Sequence, residues 1–121
     1  MSSGPRAYLV DRFRTDATAL RQRAAALRAA PRSIPPAPGP TAELSERMAA
    51  ACDDVVAMLD AISEGGDPAM TLSSISALSP LLELRAQRES EEPAVRAVYA
   101  GAATRIREVQ QVEASARDLL A

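Results

Sequence analysis

An all-α fold follows from three features of the chain. Apolar residues recur at alternating steps of three and four through four segments, no stretch alternates apolar and polar residues at a period of two, and Pro or Gly stands wherever the stepping lapses. Ala, the strongest helix former, supplies 26 of the 121 residues. The architecture these imply is an antiparallel bundle of three long helical segments (41–121), preceded by an N-terminal amphipathic heptad helix (1–30) on a Pro-rich linker (31–40).

The first segment places Val10, Phe13, Ala17, Leu20, Ala24 and Leu27 at spacings of 3, 4, 3, 4, 3, a narrow apolar seam suited to lying along another helix. Pro5 fits a first-turn position, where its missing N–H costs nothing, and Pro31 ends the helix. The ten residues from Pro31 to Pro40 contain five prolines and read as an extended, semi-rigid tether.

Thr41 is the expected N-cap of the second helix, with Glu43 and Glu46 near the positive end of its dipole. Leu44, Met48, Ala51, Val55, Met58 and Ile62 form its seam. Cys52, Val56 and Leu59 widen the stripe, as expected of a helix packed on two neighbours. Gly65-Gly66 stops it and Asp67-Pro68 starts the next. The third segment carries a Ser/Thr-rich run and Pro80, which leaves two versions open: one helix with an internal Pro, or two shorter ones. In either, Leu72, Ile75, Leu78, Leu82 and Leu81 are expected to face the core. Glu91-Glu92-Pro93 opens the last helix. There Val95, Tyr99, Ala102, Ile106, Val109, Glu113, Ala116 and Leu120 keep the 4, 3 alternation over roughly 42 Å, with only Glu113 breaking the seam.

Composition narrows the function. The chain has no His, Lys, Asn or Trp. Imidazole bases, Ser/His/Asp triads, Schiff-base lysines and P-loops are thereby ruled out. A lone cysteine, Cys52, makes neither an intrachain disulfide nor a CxxC site, and is expected to act as a small buried apolar group. No catalytic, cofactor-binding or metal-binding residue is assigned, no cofactor is called for, and the expectation is a non-enzymatic protein. No run of 18 apolar residues spans a membrane. Asp11, Arg12 and Arg14 interrupt the first apolar cluster, unlike a secretory signal, so the expected location is cytoplasmic. Leu, Ile, Val and Phe together are only 24 residues, so a thin core and an interface with another chain are expected.

The near-neutral net charge of −2 conceals a split. Residues 1–40 hold seven Arg and two acids, a net of +5; residues 41–121 hold seven Arg and fourteen acids, a net of −7. Arg14, Arg21 and Arg28 repeat every seven residues beside the first seam, and Glu46, Asp53 and Asp60 repeat every seven on the second helix. Three readings follow: the basic helix packs on its own acidic body or on that of a second copy; it docks on a partner protein; or it binds nucleic acid or an anionic membrane surface. The last is disfavoured by the absence of interleaved aromatics and by the acidic body. The expectation is a chaperone- or adaptor-like interaction module, alternatively a homo-oligomeric scaffold. Its partner-binding candidates are Val10, Phe13, Arg14, Leu20, Arg21, Leu27 and Arg28 on the first helix, and Tyr99, Ile106 and Val109 on the last.

Three motifs resemble a known family. Glu64-Gly65-Gly66-Asp67 resembles a short interhelical joint, Leu81-Leu82-Glu83-Leu84-Arg85-Ala86-Gln87-Arg88-Glu89 a Leu-rich segment followed by alternating Arg and Glu, and Glu91-Glu92-Pro93-Ala94-Val95 the acidic, Pro-containing start of a long last helix. Over residues 43–120 the chain thus resembles the small helical export chaperones of the flagellar type III system, the FlgN and FliT kind. The resemblance implies that the last helices bind an amphipathic segment of a secreted subunit. The basic helix, the Pro-rich tether and Pro80 depart from that pattern.

Overall fold

The computed structural model describes residues 4–30, 39–62, 68–88 and 92–120 and contains, among them, four helices and no strand: α1 (Pro5–Ala29), α2 (Ala42–Asp60), α3 (Pro68–Arg88) and α4 (Pro93–Leu120). The body of the Pro-rich tether, the Gly65-Gly66 stop, Asp67, Glu89 and Glu91 lie outside the described residues.

Each helix begins as its sequence dictates. Pro5 occupies the first turn of α1. Thr41 adopts an extended conformation and its hydroxyl accepts from the Leu44 N–H at 3.1 Å, satisfying one of the donors that a helix start leaves open. Pro68 and Pro93 open α3 and α4. α3 runs as one helix with Pro80 inside it. Pro80 is exposed, so the carbonyl that loses its helical donor lies on the solvent side. Just before α2, Gly39 has φ +113°, a conformation that favours glycine, and a Cβ there would sit 2.9 Å from the Arg23 guanidinium. That guanidinium donates twice to the Pro40 carbonyl, at 3.1 and 3.2 Å, and so ties the approach to α2 onto α1.

The helices form two antiparallel hairpins, α1 with α2 and α3 with α4, joined mainly where α2 packs on α4. The larger apolar cluster draws on all four helices: Leu9, Val10 and Phe13 of α1, Val55, Val56 and Leu59 of α2, Ile75 and Leu82 of α3, and Val95, Tyr99 and Ile106 of α4. Along the rest of the α1–α2 interface the buried residues are small: Ala17, Ala24, Ser45, Ala49 and Cys52. Small side chains let the two backbones approach closely but remove little apolar area from water. Leu81 departs from expectation: it is half-exposed, while Leu82 is fully buried. Successive residues leave a helix 100° apart, so one of two adjacent leucines turns outward when the other takes the core position.

α4 outruns the core. Ile106 is its last buried residue among those described, and Ala114, Ser115 and Ala116 are all exposed. Three consecutive exposed residues span about 200° of a helix, so this stretch is open to solvent over more than half of its circumference.

Candidate interaction groove between α1 and α4

The seven-residue charge repeats meet within one chain. Arg14 pairs with Asp60 at 3.4 Å, Arg21 with Asp53, and Arg28 with Glu46 through both guanidinium nitrogens. Each step of seven along α1 matches a step of seven backward along α2, which is the signature of an antiparallel pair in register. Arg6 adds a helix cap: it donates to the Leu59 carbonyl at 2.9 Å and to the Asp60 carbonyl at 3.3 Å, at the negative end of the α2 dipole. The Asp53 carboxylate raises the Arg21 pKa, and the hydrogen bond from Arg28 holds the Glu46 carboxyl below its usual range. These pairs are solvent-exposed, so they define register and orientation more than stability.

A second polar cluster ties α2 to α3 and α4. Asp54 accepts from the Tyr99 hydroxyl at 3.0 Å and from Arg85, whose guanidinium lies 5.9 Å from the Tyr99 ring centre. Burial and the neighbouring carboxylate push the Tyr99 phenol above its ordinary pKa.

Of the residues proposed for partner binding, Val10, Phe13, Tyr99 and Ile106 lie in the core, and Arg14, Arg21 and Arg28 pair with α2. Leu27 is half-buried on α1. Leu20 and Val109, with one side of Phe13, line a different feature, the groove left where α1 and α4 diverge. Two clefts on this side share Arg105 in their linings. A cleft of about 470 Å³ is lined by Phe13, Leu20, Met48, Cys52, Val98 and Ala102, with exposed Ala19, Ala97 and Gly101 at its rim and Asp16 and Arg23 along its α1 side. A second of about 370 Å³ lies between Pro5 and Tyr8 of α1 and Glu108, Val109, Val112 and Glu113 of α4. A Cβ at Gly101 would meet nothing within 4 Å, so the rim is open there. Burial pushes the Cys52 thiol up to about 11, which keeps it neutral and apolar in character at physiological pH.

Arg105 stands at the junction, half-buried, with no ion pair or hydrogen bond among the described residues; Glu113 is likewise half-buried and unpartnered. A larger depression of about 610 Å³ lies between the start of α1 and the end of α2, but its Arg6, Arg14 and Asp60 are already joined to one another. Among the described residues no group of three or more Cys, Asp or Glu side chains converges to hold a metal ion, and no helix is long and apolar enough to cross a membrane.

No family model, curated protein or solved structure matches this chain. Sequence reasoning missed the groove because it attended to the core seam of α4. A second seam was present beside it: Val98, Ala102, Arg105, Val109, Val112, Ala116 and Leu119 at spacings of 4, 3, 4, 3, 4, 3. Two apolar seams on one helix mark two packing partners; within the chain Ala102 is buried and Val98 and Val109 pack against the core, while Val112 and Leu119 stay exposed.

Proposed function

We propose that this chain is a non-enzymatic helical interaction module, chaperone- or adaptor-like, that receives a partner helix in the groove between α1 and α4. The observation that carries the reading is the open cleft beside the second seam of α4, whose Val112 and Leu119 stay exposed and whose Arg105 has no ion pair among the described residues. A helix with apolar residues at steps of three and four and one carboxylate near its middle satisfies both the floor and the cation. Met48 on the floor gives an adaptable surface. Composition supports a binding role over catalysis, since the side chains of the common catalytic dyads and triads are absent. The resemblance to flagellar export chaperones is the narrower form of the same reading, with the bound helix belonging to a secreted subunit.

Photo-crosslinking tests it. A benzophenone side chain at Ala97 or Gly101, at the open rim, should give discrete adducts in cells, while the same group at exposed Arg12 should not. Equal labelling from both faces, or none from the groove, would remove the groove from consideration.

A further inference from the structure

We infer that the groove's occupant is the far end of α4 from a second copy of this chain, the two copies exchanging these ends about a two-fold axis near Val109. The inference rests on the helix-docking reading and names the helix. Four observations converge on it. The first is length: the stretch of α4 beyond Val109 to Leu120 rises about 16 Å, and the groove accompanies α4 from Ala97 to Val109 for about 18 Å. The second is surface: Val112 and Leu119, 67 % and 86 % exposed, stand out from this stretch.

The third is register. An antiparallel pairing of the second seam with its own copy, centred on Val109, sets Val98 opposite the partner's Leu119 and Ala102 opposite the partner's Ala116. A large side chain then enters beside the open rim at Gly101. The fourth is charge. The same register brings Arg105 beside the partner's Glu113, and the symmetry makes the pairing reciprocal. Both side chains lack partners among the described residues of one chain.

Light scattering and sedimentation equilibrium on the full chain provide the test. The expected mass is twice 12.8 kDa. Gly101→Leu adds a side chain at the open rim, where a Cβ meets nothing within 4 Å, and Leu119→Glu charges an exposed position. Both should give monomers that stay helical and unfold cooperatively, with a melting temperature that no longer depends on protein concentration. Arg105→Glu or Glu113→Arg alone should weaken self-association by about tenfold, and the two together should restore it. A wild-type monomer at about 1 mM, where even millimolar self-affinity shows, overturns the inference. So does a dimer that survives both Gly101→Leu and Leu119→Glu, or a double reversal no stronger than the single changes. A monomeric chain whose groove still crosslinks to another protein removes the second copy but leaves the helix-docking reading standing; a groove that crosslinks to nothing removes both.

Discussion

Replacing Phe13 by Ala should loosen α1 from the body, because this ring is the only Phe in the chain and is 4 % exposed in the cluster shared by all four helices. Truncating a buried Phe typically costs 3–5 kcal/mol, transfer and cavity contributions together. One side of the ring borders the open groove, so water and the neighbouring Leu20 and Met48 can enter the space, which places the cost at the lower end, about 3 kcal/mol. A chain of this length has a total stability of about 6–18 kcal/mol, so the variant remains folded. With a urea m-value of about 2 kcal/mol/M, the unfolding midpoint read by far-UV circular dichroism should fall by about 1.5 M at unchanged m. A fall of less than about 0.25 M, the size expected of a surface substitution, would refute the placement of α1 on the common core.

Three further outcomes follow from the same contacts. Arg28 lowers the Glu46 pKa, so the pair stabilises the fold above the unfolded carboxylate value of about 4.3 and this contribution is lost as pH falls through the folded one. The melting temperatures of wild type and Glu46→Gln should therefore differ at pH 7 and converge towards pH 3; a gap that stays constant would show that the charge pair is not its source. The Cys52 thiol, pushed up to about 11 by burial, should react with a disulfide reagent at pH 8 far more slowly than after unfolding, and equal rates would contradict its place on the groove floor. The Ser45 hydroxyl is fully buried without a hydrogen-bond partner among the described residues, so Ser45→Ala should stabilise the chain by about 1 kcal/mol and raise its melting temperature by several degrees; a lower melting temperature would mean that the hydroxyl is satisfied.

The helices were legible in the sequence because the signals that make a helix are local. Thr41 caps, Pro5, Pro68 and Pro93 begin, and the spacing of Val10, Phe13, Ala17 and Ala24 or of Val95, Tyr99, Ala102 and Ile106 selects the buried face. Pro80 was ambiguous because a proline terminates a helix only when the lost hydrogen bond is not offset by packing on both sides. Here Ile75 and Leu82 anchor α3 before and after it. The groove was less visible, since an empty space has no sequence of its own. Only the second seam from Val98 to Leu119 hinted at it, and that seam overlaps the core seam at Ala102, Val109 and Ala116.

What the sequence alone determined is therefore the set of amphipathic helices, their capping, the absence of the usual catalytic side chains, and two charge repeats of the same period. A period of seven states that two helices have matching teeth; it does not state which helix turns back on which, or whether the match is made within one chain. The tertiary structure decided that. It ran α1 antiparallel to α2, so that Arg14, Arg21 and Arg28 meet Asp60, Asp53 and Glu46, and thereby turned the basic helix from a free arm into one wall of a groove. The physical reason is that these exposed ion pairs contribute little by themselves, whereas burying Leu9, Val10 and Phe13 against α2, α3 and α4 contributes much, and the charges then select the one direction in which that burial is in register.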